Sequence, residues 1–191
     1  VGSEMCIRDR LSSVSIDDEK AGETIVDYLI EHGHTKIAEI GANLELSQTA
    51  RLRHNGYLNS LKKHGITPDE RYYERARFSY DSAYRAMKKL LEKDIEITAV
   101  YAISDVMAIG ALRAILDKGL RVPEDISITG FDGSTLAEYY NPKIVSIRQP
   151  HKDMAARSVE LLFNMIDLHK GSCHEIIPFE LTEGESVARI D

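Results

Sequence analysis

The stretch RVPEDISITGFD, residues Arg121–Asp132, decides the fold of this chain. Pro123 fixes its own φ and cannot continue a helix, so the preceding helix must stop there. Ile126–Phe131 is a short apolar run, which predicts a buried strand. Ligands of open α/β sheets bind outside the carboxyl ends of the strands. The sequence therefore predicts that Asp132 lies at a ligand site.

On both sides of this stretch, helical and strand patterns alternate along the chain. This alternation predicts an α/β fold with a doubly wound parallel sheet. Apolar residues at helical spacing predict helices over Asp18–His32, Gln48–His64 and His151–His169, and helices that begin at Tyr80 and Asp105. Short apolar runs predict strands over Lys36–Ile40, Tyr73–Ala76, Thr98–Ile103, Ile126–Phe131 and Ile144–Ile147, and Glu175–Leu181 is expected to be extended.

Composition restricts the classes of function. The net charge is −7 and no basic stripe is present, so this stretch is a poor nucleic-acid binder by itself. No run approaches the ~20 apolar residues of a membrane helix. Cys6 and Cys173 give neither a disulfide framework nor a metal-ligand spacing, and no cofactor or catalytic motif is present. We predict no cofactor, no metal, no catalytic residue and no membrane contact, and a cytoplasmic location fits the two cysteines.

Arg53 is a second candidate for ligand binding. It lies between Ala50 and Tyr57 on an otherwise apolar helix face, where its five donors need a carboxylate or a ligand. The residues alone leave open a structural ion pair or a side chain that reaches solvent. With Asp132 it would suit a polyol, because a carboxylate accepts from hydroxyl groups and a guanidinium donates to oxygens. Phe78 is the candidate for the aromatic face of a sugar site, with an ordinary core position as the alternative.

Four blocks of sequence, in order, resemble the lac repressor/gal repressor family of bacterial transcription regulators. They are ARLRHNGY at Ala50–Tyr57, SDVMAIGALRAI at Ser104–Ile115, VPEDISITGFD at Val122–Asp132 and NPKIVSIRQP at Asn141–Pro150. The resemblance implies a periplasmic-binding-protein-like fold of type I, in which two similar subdomains are joined by three crossing strands. It also implies a switch rather than an enzyme: a small effector bound between the subdomains controls how a homodimer binds operator DNA.

The same resemblance divides the chain. Residues 14–148 correspond to the C-terminal subdomain, residues 149–178 to a remnant of the N-terminal subdomain, and residues 179–191 to a crossing strand and the C-terminal tail. Residues 1–13 fit nothing that follows and resemble translated adapter or vector sequence, with a flexible linker as the alternative. The operator would be contacted by a helix-turn-helix headpiece that is missing from this sequence. The apolar face of His151–His169 is then expected to lack its partner, unless it packs on the one complete subdomain.

Further residues take their expected roles from the family. Arg53 corresponds to an effector-pocket position, and Ser104 stands where the family often has an effector-binding Asn, while Asp105 is expected to cap the next helix. Gln149 lies in a crossing segment that could sense closure. The expected dimer surface comprises Ala108, Leu112, Leu136, Tyr139 and Tyr140.

Departures from the family pattern bear on the effector. Purine-sensing members carry an Arg where this chain has Ser47, so a sugar is the favoured effector. Ser104 has a shorter side chain than the Asn that the family often has at this position, and it has no amide donor. The identity of the sugar therefore stays open. A periplasmic sugar-binding protein of a transporter is the main alternative, because it shares the fold and the kind of pocket. The run VPEDISITGFD and the closing ESVAR at Glu185–Arg189 favour the regulator, although the family usually has an Arg where Gly184 stands. An enzyme that uses Asp132 as an acid or base would lack a second catalytic group.

Overall fold

The computed structural model describes residues 12–167 and 173–190, and its contacts divide the chain into two units. The larger unit comprises Asp18–Arg148 and the chain from Glu180 onward; the smaller comprises Gln149–Phe179 and the chain up to Asp17. The sequence assigned residues 14–17 to the larger unit, but strand β1 (Ser13–Ser15) pairs in parallel with β7 (His174–Ile176) of the smaller one. The predicted leader lies mostly outside the described residues, as does Cys6. Whether the smaller unit is a subdomain remnant stays a prediction.

A parallel sheet of four strands organises the larger unit, which confirms the α/β prediction. The strands are β2 (Ile37–Gly41), β3 (Tyr73–Arg75), β4 (Ala99–Ala102) and β5 (Ser127–Thr129), in the order β3-β2-β4-β5. The chain therefore winds outward through β3 on one side and through β4 and β5 on the other. The topological switch point lies between β2 and β4, and a ligand is expected outside the carboxyl ends of these strands.

The fifth predicted strand, Ile144–Ile147, does not form as expected. Val145 makes only an isolated parallel bridge to Thr129. The hydrogen-bonded strand is β6 (Ile147–Arg148), which pairs antiparallel with β8 (Glu180–Leu181) in a separate two-stranded sheet. Residues 145–148 therefore run beside the end of β5, through isolated parallel bridges of Val145 to Thr129 and of Arg148 to Asp132, and also pair with the C-terminal segment.

Helices cover the sheet and follow the predicted pattern within a few residues. In the larger unit they are α1 (Asp18–Glu31), α2 (Gln48–Lys63), a 3₁₀ turn (Glu70–Tyr72), α3 (Tyr80–Glu92), α4 (Asp105–Asp117) and α5 (Thr135–Tyr139). The smaller unit contains α6 (His151–Asp167), and the predicted end of this helix at His169 lies outside the described residues. Ser47 caps α2 by accepting a hydrogen bond from the amide of Ala50.

Two glycines bring α1 and α2 into backbone contact. A methyl group on Gly56 would lie 2.2 Å from the carbonyl oxygen of Glu19, and one on Gly22 would lie 2.7 Å from that of Arg53. No side chain fits between the helices at this crossing. The first turn of α1 and the middle of α2 are therefore held together, which places Asp18 next to Arg53.

The predicted dimer surface is partly wrong. Ala108 and Leu112 are fully buried, because α4 buries nearly all of its faces inside the larger unit. Leu136 and Tyr139 are 55% and 82% exposed, and Tyr140 is half-buried. Only these three residues of the predicted set remain available to a partner.

The apolar face of α6 is exposed, as the sequence predicted. Val159, Leu162, Phe163 and Ile166 each expose more than half of their surface, whereas Leu161 is buried. The amphipathic pattern of this helix is therefore only partly satisfied by the residues that the structure describes.

Candidate functional site

Arg53 is the centre of a charged cluster at the switch point of the sheet. It projects from α2, is 4% exposed, and donates from Nη1 to the carbonyl oxygen of Ile103 at 2.6 Å. Ile103 directly follows β4, so the guanidinium reaches from the helix after β2 to the end of the neighbouring strand. Its planar face lies 3.5 Å from the ring centre of Phe131, which adds a cation–π contact. These contacts fix the orientation of the guanidinium.

Asp18 is a member of this cluster that the sequence did not reveal. Its Oδ1 accepts from Arg53 Nε at 2.8 Å, and its side chain is only 12% exposed. The acidic start of α1 is explained equally well by the helix dipole. The signal that could have identified Asp18 is the glycine pair that brings α1 against α2. The structural ion pair considered for Arg53 therefore exists, and it occupies one edge of the guanidinium.

Asp132 approaches the same guanidinium from the other side. Its Oδ1 lies 3.5 Å from Arg53 Nη1, and its side chain is 31% exposed. Its φ is +115°, an uncommon value for a residue with a side chain. Gly130, on one side of it, has an ordinary φ, and Gly133, on the other side, has a positive φ, so Asp132 and Gly133 form the sharp turn together. Non-glycine residues held in this way cluster at functional sites.

The structure brings only some of the other predicted site residues toward this cluster. Phe78 follows β3 and is 51% exposed, so the ordinary core position is wrong. Phe78 follows β3 and Asp132 follows β5, the two outer strands, and these strands are about three strand spacings, or ~14 Å, apart. Ser104 follows β4, but it is buried and its hydroxyl caps α4 by accepting from the amide of Met107. Gln149 begins the smaller unit and is half-buried.

The charges of the cluster limit its chemistry. Two carboxylates face one guanidinium, so the cluster carries a net negative charge. The contacts of Arg53 described above use its Nε and Nη1, two of the three nitrogens of the guanidinium. No three His, Cys, Asp or Glu side chains in the described part of the chain are grouped to hold a metal ion. The arrangement can donate to oxygens and accept from hydroxyl groups, which suits a neutral polyhydroxylated ligand better than an anion.

A second polar group is buried beneath a separate groove. Glu39 on β2 is fully buried and contacts His54 Nδ1 at 2.6 Å. Burial raises the pKa of Glu39. Burial alone would lower the pKa of His54, but the hydrogen bond and charge of Glu39 outweigh it, so this pKa is raised as well. The groove has a volume of about 580 Å³, and its lining includes His54, Tyr57 and Tyr73 but none of the predicted site residues.

Arg53 and its two carboxylates lie at the switch point of a doubly wound sheet, which is where α/β proteins with such sheets bind their ligands. Residues 26–187 match the family described as "Periplasmic binding protein-like domain". The chain belongs to this family, and the relatives it matches are LacI-family transcription regulators. No helix that the structure describes combines the length and apolar character needed to cross a membrane.

Two protein relatives illustrate the match. The chain is 41% identical over 179 residues to the HTH-type transcriptional regulator MalR of Clostridium butyricum, covering 94% of this chain and 53% of that protein. It is 36% identical over 172 residues to the HTH-type transcriptional repressor CytR of Escherichia coli, covering 90% and 50%. The chain thus spans about half the length of the curated relatives it matches.

Solved structures agree with this relationship. The complex of the transcriptional regulator CelR with cellobiose superposes with a TM-score of 0.89 at 34% identity, covering 93% of this chain and 54% of that chain. A LacI family transcriptional regulator from Enterococcus faecium with bound ribose gives a TM-score of 0.86 at 27% identity, covering 94% and 67%. The predicted resemblance to the lac repressor/gal repressor family is confirmed.

Proposed function

We propose that this chain is the effector-sensing part of a DNA-binding transcription repressor and that its effector is a sugar. The observation that carries the proposal is the cluster of Asp18, Arg53 and Asp132 at the carboxyl edge of the sheet. The half-exposed Phe78 at the same edge offers an aromatic surface for a sugar ring. The relatives support the regulatory role through their names, and two structural relatives are complexes with cellobiose and ribose.

Chemistry favours a neutral sugar over a phosphorylated one. The carboxylate of Asp132 accepts from hydroxyl groups of the sugar, while the guanidinium of Arg53 donates to a hydroxyl or ring oxygen. A phosphate would meet the net negative charge of the cluster at close range. Ser104 contributes through the position of its backbone, since its hydroxyl already caps α4.

Operator DNA would be contacted outside this chain, by a helix-turn-helix headpiece of the full-length protein. The net charge of −7 gives this chain no electrostatic attraction to phosphates. Sugar binding would then act at a distance by favouring one of two conformations. A coupling free energy of about 1–3 kcal/mol between the sugar and DNA sites is typical for such a switch.

Binding to the full-length gene product tests the sugar site. Isothermal titration with cellobiose and with ribose should give measurable binding to at least one of the two sugars. Asp132→Asn should weaken it about 100-fold, because two charge-assisted hydrogen bonds are lost. Asp125→Asn is the matched control, since Asp125 lies before β5, at the other end of the strand from Asp132, and pairs with Arg121 on the surface. Equal affinity in the two variants, or no binding of either sugar, would overturn the proposal.

We also propose a homodimer formed through the surface of Leu136, Tyr139 and Tyr140. Exposed apolar side chains of this size gain most when a partner covers them. Tyr139→Arg in the full-length protein should shift its sedimentation from dimer to monomer. Leu46→Arg is the control, because Leu46 is 81% exposed at a different place. A monomeric wild type, or an equal effect of both substitutions, would contradict the dimer.

The cytoplasm is the location that a repressor requires. Reading the coding sequence upstream of Val14 distinguishes the two classes of protein that share this fold. A helix-turn-helix segment followed by a sensor half supports the repressor. A charged segment, an apolar segment and a small-residue cleavage site would instead indicate an exported sugar-binding protein.

A further inference from the structure

Asp105 is buried at the start of α4 and holds the loop that follows β5. It is not the helix cap that the sequence suggested, because Ser104 has that role. Its Oδ2 accepts from the amide of Ser134 at 2.6 Å, and its Oδ1 accepts from the hydroxyl of Ser146 at 2.6 Å. Its own amide donates to the carbonyl oxygen of Phe131 at 2.6 Å. Asp105 therefore contacts the loop at two points.

Ser146 completes the arrangement from the opposite side. Its hydroxyl donates to Asp105 and accepts from the amide of Gly133 at 3.1 Å. Its amide donates to Thr182 Oγ1 at 3.0 Å, and the amide of Thr182 donates to its carbonyl oxygen at 2.8 Å. Ser146 precedes β6 and Thr182 follows β8, the strands on which the chain leaves and re-enters the larger unit. The loop is thus tied to both strands.

The three residues held in this way, Phe131, Gly133 and Ser134, flank Asp132. A residue with a positive φ persists only where its surroundings fix it. Asp132 adds one contact of its own, from its amide to the carbonyl oxygen of Ile147 at 2.8 Å. The backbone on each side of Asp132 is therefore fixed by buried partners, while its carboxylate faces Arg53.

We propose that Asp105 and Ser146 are positioning residues that hold the carboxylate of Asp132 in its ligand-binding orientation and link it to β6 and β8. The packing supports this role, since a methyl group on Gly130 would lie 2.3 Å from Asp105 Oδ1. Only glycine lets the carboxylate lie this close to the strand end. The link to sugar binding rests on the proposed function. The positioning of the loop does not.

Amide hydrogen exchange in the 191-residue chain tests the positioning itself. Ser146→Ala removes the acceptor for the amide of Gly133, and Asp105→Asn replaces the acceptor for the amide of Ser134. Each amide should exchange about tenfold faster or more in the respective variant, as expected for a lost hydrogen bond. Ser60→Ala is the matched control, because its buried hydroxyl also donates to a carboxylate, that of Asp27, at 2.6 Å.

Unchanged exchange of both amides relative to Ser60→Ala overturns the inference. If Asp105→Asn does not fold, the exchange rate of the Gly133 amide in Ser146→Ala is sufficient to test the inference. Faster exchange at these two amides, with the rest of the larger unit protected as in Ser60→Ala, supports it. A purely structural role would instead loosen the unit evenly.

Sugar affinity in the full-length gene product supplies the second measurement. With cellobiose or ribose as the probe, Ser146→Ala should weaken binding about tenfold relative to Ser60→Ala. Asp132→Ala is measured beside them. If it binds as the wild type does, or if neither sugar binds, the proposed function fails and the exchange experiment decides the positioning role. If Asp132→Ala abolishes binding and Ser146→Ala matches Ser60→Ala, the positioning inference is overturned.

Discussion

The backbone of Asp132 gives the sharpest test of how the site is built. Its φ of +115° is a conformation that favours glycine. A side chain held there costs about 1–3 kcal/mol. Asp132→Gly and Asp132→Ala both remove the carboxylate and its contact with Arg53. The two variants differ only in the methyl group and in backbone freedom, so comparing them isolates the strain.

The expected sign is the reverse of the usual one. At an ordinary position, glycine is less stable than alanine by about 0.4–1 kcal/mol, because its unfolded chain has more freedom to lose. At residue 132, relief of a strain of about 1–3 kcal/mol outweighs that loss. Asp132→Gly should therefore be more stable than Asp132→Ala by about 1 kcal/mol. At Asp81, an exposed position in the first turn of α3, the ordinary order should hold.

Urea unfolding of the four variants, followed by circular dichroism, measures the difference. With a urea dependence of about 2 kcal/mol per molar, the midpoint of Asp132→Gly should lie about 0.5 M above that of Asp132→Ala. Asp81→Gly should unfold at lower urea than Asp81→Ala. If glycine is the weaker residue at both positions, Asp132 carries no strain, and the argument that its surroundings force its conformation fails.

Three further predictions concern other parts of the molecule. The pKa of His54 is raised above its reference of 6.5, and the pKa of Glu39 is also raised. The stability that these two groups contribute to the folded state is therefore present at low pH, and it is lost as the pH rises through their folded-state pKa values. The urea midpoint should therefore be lower at about pH 9 than at about pH 6. An equally large decrease in the double variant Glu39→Leu/His54→Leu would show that these two groups are not its cause. Tyr101 Oη is buried without a hydrogen-bond partner among the described residues, whereas Tyr57 Oη donates to the carbonyl oxygen of Ile37. Tyr101→Phe should raise the free energy of unfolding and Tyr57→Phe should lower it, each by about 1 kcal/mol; changes of the same sign would refute the reasoning. The exposed face of α6 should bind a fluorescent hydrophobic dye, and Phe163→Lys should reduce the signal more than Leu46→Lys does.

The sequence predicted those parts of the fold that depend on periodicity. The helices α1 and α2 and the strands β2 and β4 lie within a residue or two of their predicted bounds, because their apolar spacing is regular and their ends carry caps or glycines. The orientation of Arg53 toward the interior was predictable for the same reason.

The rest depends on contacts between distant segments. Asp18 and Arg53 are 35 residues apart, and nothing in either local pattern indicates that they pair. Ala108 and Leu112 were assigned to the dimer surface from the family resemblance, although the structure buries both. The run DVMAIGALRAIL is apolar on most of its faces, and all of its residues except Val106, Arg113 and Leu116 are buried. The positive φ of Asp132 was not predictable, since a sequence does not show which residue of a turn takes this conformation.

The arrangement of the site also limits how a bound sugar could act. Arg53 is fixed by Asp18, Ile103 and Phe131, all within the larger unit. Asp132 is fixed by buried partners in the same unit. A ligand can shift a conformational equilibrium only by as much as it binds the two states differently. Since these groups are oriented by contacts within one unit, their contacts with a sugar would supply affinity in both states. The difference between states must then come from contacts that the sugar makes outside this cluster. Asp132→Asn should therefore reduce sugar affinity for the DNA-bound and DNA-free forms of the full-length protein by similar factors, and a loss confined to one form would show that the cluster itself switches.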